Sequence, residues 1–269
     1  MAATGRVACS PPMPVEPLVL AVLVVLAFLA GLVDAIAGGG GLLQLPPLLA
    51  FVGPGHALGT NKTASIFGTT AALVRYARHG AVRWRHVALV GPVAFLGSLA
   101  GSLGYLELVK RHARAVEPAF AVVFLVLAVD QVRRTLRPRA PVTAPARPRV
   151  ALGLAFAAAI ALYDGIVGPG TGIFLFWAFT TWFALSPLEA TGTTKAVNVL
   201  TNAGSLVAFV SKGAVLWPVA LPMAAANLAG GLLGARSAIR HGVRLIRIVT
   251  AIACAGAAGW LLWRAFAAA

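Results

Sequence analysis

Acidic residues are scarce in this sequence: seven among 269, against 22 lysines and arginines, for a formal net charge of +15. Charged residues of both signs make up only 11%, where a soluble domain carries about 25%. An ordinary water-facing surface cannot be built from so few. Cysteine is rarer still. Cys9 and Cys254 stand alone, with no CxxC or other metal-spaced cluster, which excludes a disulfide framework and a zinc ribbon. The five histidines lack metal-ligand spacing, so neither a metal nor a cofactor is expected. Lysine occurs four times, at Lys62, Lys110, Lys195 and Lys212.

What the sequence has instead is apolar length, with 59% hydrophobic residues. A helix crossing a hydrocarbon core about 30 Å thick needs roughly 20 mostly apolar residues. Runs of that kind recur from Leu18–Ile36 onward, through 60–76, 87–106, 116–132, 150–167, 173–185, 191–210, 218–235 and 246–263. The first is too long for the apolar core of a signal peptide. Basic residues gather between the runs, as in cytoplasmic loops under the positive-inside rule, and form no stripe suited to nucleic acid. The expected fold is all-α: a polytopic membrane helix bundle with broken or re-entrant segments, whose partner is the lipid bilayer.

The runs form two similar series. Leu32, Asp34, Ile36, Gly38 and Gly40 align with Leu162, Asp164, Ile166, Gly168 and Gly170. Gly59, Thr60 and Lys62 align with Gly192, Thr193 and Lys195, and Gly80, Ala81, Val82 and Trp84 with Gly213, Ala214, Val215 and Trp217. Matches of Asp, Lys, Gly and Trp in one order carry more weight than apolar matches. The layout is then a tail (1–17), a first transmembrane repeat (18–132), a basic arginine- and proline-rich cytoplasmic linker (133–149), a second repeat (150–263) and a short tail (264–269). Whether the halves are parallel or inverted depends on whether the short segment after each Gly-rich break crosses the membrane, and the loop charges point both ways.

Repeats with Gly/Pro-interrupted segments at matching positions point to a transporter site. The breaks are Gly38-Gly39-Gly40-Gly41 and Gly168-Pro169-Gly170-Thr171-Gly172. Unwound backbone at membrane depth is tolerated only where protein buries it or water reaches it, and its N–H groups, with the helix that follows, can cradle an oxyanion. Lys62 and Lys195 follow Gly-Thr pairs that read as helix starts, with Thr60 and Thr193 as N-caps. A lysine in a first helical turn opposes the helix dipole unless an anion binds there. Asn61, Ser65, Thr194 and Asn198 could add neutral donors. The alternative for the lysines is snorkelling to the membrane interface. Asp34 and Asp164 sit within or at the end of apolar runs, where an ionised carboxylate is costly. They read either as a coupling relay for protons or cations or as acceptors for N–H groups of the breaks. Trp84 and Trp217 fit interfacial anchors. Neither Asp follows a glycine as an intramembrane aspartyl protease requires, so no enzyme is expected.

The Asp34 to Gly41 stretch, the Gly59-Thr60-Asn61-Lys62 segment and their degenerate second copies resemble the sulfite exporter TauE/SafE family of membrane permeases, from about Leu18 to Trp263. That resemblance implies secondary transport of small sulfur-containing anions, powered by an ion gradient, across a bacterial inner membrane. The second copy departs from the first at Pro169 for Gly39 and Thr194 for Asn61. A proton- or cation-coupled carrier of an unrelated small molecule, with Asp34 and Asp164 as its site, is the other reading.

Overall fold

The computed structural model describes residues 15–136 and 149–241. The outer tails and the span expected over 246–263 lie outside these residues, as does most of the linker. The described chain is helical throughout, with no strand among the described residues. Its helices are α1 (Pro17–Ala37), α2 (Gly41–Val52), α3 (Pro54–Arg78), α4 (Trp84–Leu136), α5 (Val150–Ile166), α6 (Thr171–Thr181), α7 (Pro187–Ser211) and α8 (Trp217–His241). Helix α4 breaks at His112, where φ −138° and ψ 43° leave the helical region, and it continues to Leu136, four residues into the segment expected as linker.

Three of these helices have stretches long and apolar enough to cross a bilayer: Pro17–Ile36, Trp84–Ala113 and Trp217–Ile239. Large apolar side chains such as Leu18, Leu96, Val122 and Val126 lie exposed, while Thr60, Asn61, Thr63, Ser98, Asn202 and Asn227 are buried. That inverts the pattern of a soluble domain and matches a bundle whose surrounding solvent is lipid. Trp84 and Trp217 open α4 and α8 with exposed rings.

The helices start where local chemistry dictates. Pro54 and Pro187 occupy the first turns of α3 and α7, where a missing N–H costs nothing. Ser186 and Glu189 form a capping box at α7. These starts correct the expectation for Thr60 and Thr193. Neither is an N-cap; both lie within 25-residue helices, and Lys62 and Lys195 lie beyond the first turn. The dipole argument for the lysines therefore does not hold. Thr60 Oγ1 instead accepts the backbone N–H of Leu216 at 3.1 Å, and Thr193 Oγ1 accepts that of Arg83 at 3.0 Å. Arg83 follows the end of α3 and Leu216 follows the end of α7. Each of these helices thus begins beside the other's end, and α3 and α7 are antiparallel.

Around this central pair, α1 packs on α8, α5 packs on α4, α8 on α3 and α4 on α7. Glycines bring the backbones together. A Cβ on Gly234 would lie 2.3 Å from Leu32 O, one on Gly101 2.3 Å from Leu162 O, and one on Gly97 2.8 Å from Ala161 Cβ. Gly104, three residues beyond Gly101, faces open space instead. The short α2 (12 residues) and α6 (11 residues) reach about 16–18 Å, roughly half a hydrocarbon core. They are the interrupted segments that the Gly-rich runs announced.

Candidate functional site: crossed ion pairs at two helix breaks

Helix α1 ends where Gly38 turns left-handed (φ 76°) and returns its N–H to Asp34 O, a turn that favours glycine. Gly40 then lets the chain fold back on α1, since a Cβ there would lie 2.4 Å from Ala30 O. Helix α2 begins at Gly41. In the second break Gly168 (φ 90°) and Gly170 (φ 86°) make the reversal, and α6 begins at Thr171. Neither α2 nor α6 has a side-chain cap. The breaks meet: a Cβ on Gly38 would lie 2.7 Å from Gly172 C, and one on Gly41 3.3 Å from Pro169 Cα.

Between and beside the breaks lies a cavity of about 30 Å³, lined by Asp34, Gly38, Gly41, Asn61, Lys62, Ser65, Thr69, Asp164, Gly168, Gly170, Thr171, Gly172, Asn198 and Asn202. That volume holds one or two waters. The sequence had singled out all of these except Thr69 and Asn202, Gly172 only as part of the second break. Of the other expected site residues, Gly39 and Gly40 are buried in the turn, Thr60 and Thr193 hold the loops described above, and Thr194 is buried with its Oγ1 unpartnered. Lys195 stands just outside the cavity wall, bound to Asp34.

The charged residues pair crosswise. Lys62 Nζ lies 2.5 Å from Asp164 Oδ2, with both side chains only 2–3% exposed. Lys195 Nζ lies 3.0 Å from Asp34 Oδ2, and it also donates to the Asp34 backbone carbonyl. The lysines are therefore buried and paired, not snorkelling. The aspartates take their hydrogen bonds from these ammoniums and from hydroxyls, with no backbone N–H of the breaks donating to them among the described residues. Thr171 Oγ1 is 2.7 Å from Asp164 Oδ1 and Ser98 Oγ is 3.2 Å from its Oδ2. Thr69 Oγ1 is 3.3 Å from Asp34 Oδ2. Ser98, absent from the sequence-based set, links Asp164 onward to Ser205 and Thr201 O.

Neutral polar groups outside the cavity lining link to its Asn61. Gln44 Nε2 donates to Asn61 O at 3.4 Å, and Asn227 Nδ2 donates to Gln44 Oε1 at 3.0 Å and to Ala27 O at 2.9 Å. The side-chain Oδ1 of Asn61 is buried without a partner. The two ends of an amide are distinguished only by their hydrogen bonds, so Asn61 can offer a donor or an acceptor to whatever enters. Among the described residues no group of histidine, cysteine and acidic side chains could hold a metal ion.

Charged pairs buried at paired helix breaks, inside a bundle with an apolar exterior, define a membrane transporter. Comparison with known proteins agrees. Residues 23–261 match the family described as "Sulfite exporter TauE/SafE". The chain is 34% identical to "Probable membrane transporter protein ORF9" of Sinorhizobium sp over 242 residues, covering 88% of this chain and 90% of that protein. It is 33% identical to "Probable membrane transporter protein YfcA" of Escherichia coli K12 over 254 residues, covering 93% and 91%. A "Probable membrane transporter protein" of Haemophilus influenzae is 32% identical over 235 residues, covering 87% and 90%. No solved structure matches. The chain belongs to the sulfite exporter TauE/SafE family; it is a transporter and not an enzyme.

Proposed function

We propose that the protein is a multi-pass secondary transporter of the inner cell membrane that carries small sulfur-containing anions, such as sulfite or a sulfonate, by alternating access. The observation that carries this reading is the crossed pairing of Lys62 with Asp164 and Lys195 with Asp34 across the two breaks. Two ammoniums at membrane depth are tolerable only with counter-charge, and an entering anion can take the place of a carboxylate. Lys62, Asn61, Ser65, Thr69, Asn198 and Asn202 supply the donors around the cavity, and the uncapped starts of α2 and α6 add partial positive charge. A sulfur oxyanion exceeds one or two waters in size, so its entry requires the breaks to part.

Two homologous halves, 18–132 and 150–263, form the moving bodies in this reading. The antiparallel run of α3 and α7 supports inversion, as do contacts that exchange equivalent positions, Gly59 with Ala214 O and Gly192 with Ala81 O. Inverted halves give two equivalent conformations opening to opposite sides. The crossed pairing supports treating the anion site and the coupling site as one.

The test is flux into proteoliposomes of radiolabelled sulfite, sulfate, thiosulfate and a sulfonate. Saturable flux of at least one, competed by the others according to fit, supports the reading. No flux of any of them, from protein shown to be folded, refutes it.

A further inference from the structure

The two aspartates are sequence equivalents, yet their surroundings differ. The Asp164 carboxylate is 2% exposed, holds Lys62 at 2.5 Å and has hydroxyls of Thr171 and Ser98 within hydrogen-bonding distance, one on each side. The Asp34 carboxylate is 18% exposed, and its contacts with Lys195 and Thr69, at 3.0 and 3.3 Å, both fall on Oδ2. The position equivalent to Thr171 in the first break is Gly41, which offers no hydroxyl. Asp34 lines the cavity while its partner Lys195 does not. Lys195 also keeps a second acceptor, the Asp34 backbone carbonyl, which holds it whatever the charge of the carboxylate.

We infer that Asp34 is the proton-accepting residue of the transport cycle, that Asp164 stays charged as the fixed counter-ion of Lys62, and that one proton taken up at Asp34 admits one monoanion. The inference rests on the anion-carrier reading above and assigns its coupling ion and the charge of its substrate. Lys62, Lys195, Asp34 and Asp164 together sum to zero charge. An added monoanion leaves a net negative charge in a low-dielectric centre, which is costly. A proton delivered by hydronium from the bulk solution, which leaves neutral water behind, forms an O–H bond at the Asp34 carboxylate and removes that charge. Proton and anion therefore favour each other reciprocally. A dianion would leave a second negative charge that one proton at Asp34 does not neutralise.

The other charged or titratable groups facing Asp34 are few. Lys195 comes from α7, Lys62 and Tyr76 from α3, and Asp164 from the end of α5 across the cavity; Tyr76 donates to the neighbouring Ala35 O. Helices α2 and α6 carry no titratable residue. At this level α8 presents Gly234 to Ala35, and its Arg236 is exposed.

The experiment is titration calorimetry of the full-length protein in detergent with methanesulfonate, a monoanion that does not itself titrate, in buffers of different ionisation enthalpy between pH 6 and 8. The expected result is uptake of about one proton per anion, with affinity falling about tenfold per pH unit, and much weaker binding of sulfate. In Asp34→Asn the proton uptake and the pH dependence of affinity vanish; in Asp34→Glu both return, which separates lost protonation from lost folding. Binding without proton uptake in the unchanged protein, uptake that persists in Asp34→Asn, or sulfate bound as well as methanesulfonate would overturn the inference. No binding of methanesulfonate or sulfate together with no flux in the proteoliposome assay would instead overturn the anion-carrier reading.

Discussion

Removing one partner of the Lys62–Asp164 pair should cost far more than removing both. The two side chains are 2–3% exposed and 2.5 Å apart. Lys62→Met leaves a buried carboxylate without its ammonium, and Asp164→Val leaves a buried ammonium without its carboxylate. Breaking a buried pair from one side costs about 3–5 kcal/mol, whereas replacing both charges by apolar groups of similar volume is often neutral or stabilising. The double variant leaves little unpaired, because Thr171 Oγ1 can still donate to Gly168 O at 2.7 Å and Ser98 Oγ to Thr201 O at 2.8 Å. The double variant should therefore lie within about 2 kcal/mol of the unchanged protein, giving a coupling energy of about 4 kcal/mol or more. Thermal unfolding in detergent, followed by tryptophan fluorescence, should show each single variant lowered by roughly 6–20 °C, at about 2–4 °C per kcal/mol, and the double largely restored. A double variant as unstable as the two single losses combined, with coupling below about 1 kcal/mol, would refute the reasoning.

Other outcomes follow from the packing. Gly165→Ala places a Cβ 2.2 Å from Ser98 O and 2.6 Å from Ser102 N. Both are backbone atoms, so the cost should reach or exceed the ~1–3 kcal/mol of ordinary overpacking, and the yield of monodisperse protein in size-exclusion chromatography should collapse. Gly104→Ala meets nothing within 4 Å and should purify like the unchanged protein. Arg83→Ala removes an exposed pair with Glu189 and should change stability by less than about 1 kcal/mol. Ser186→Ala breaks the capping box of α7 and should cost about 1 kcal/mol, read as a shift of a few degrees in the same melt.

Much of the site was legible because the residues that build it are rare. Four lysines and seven acidic residues in 269 make Lys62, Lys195, Asp34 and Asp164 conspicuous, and glycine runs inside apolar segments announce the breaks. The pairing itself was not legible, because which ammonium meets which carboxylate depends on how α3 and α7 lie between the two breaks. Thr60 and Thr193 were misplaced as N-caps although Gly53-Pro54 and Ser186-Pro187-Leu188-Glu189 mark the true starts. Thr69 and Asn202 share the spacing that relates Lys62 to Lys195, so that spacing could have found them. Ser98 could not be found that way, since Gly231 stands at the equivalent position; its role comes from the closeness of α4 to α5 and α7.

In the proposed transport cycle Lys62 and Asp164 serve anion passage and not merely the stability of the bundle. The double variant Lys62→Met/Asp164→Val separates the two. The decisive measurement is uptake of a radiolabelled sulfonate into proteoliposomes by that variant, once its thermal stability is shown to match the unchanged protein within a few degrees. Stable protein with no uptake above empty vesicles is the expected result. Uptake at the rate of the unchanged protein would show that the pair serves only the stability of the bundle.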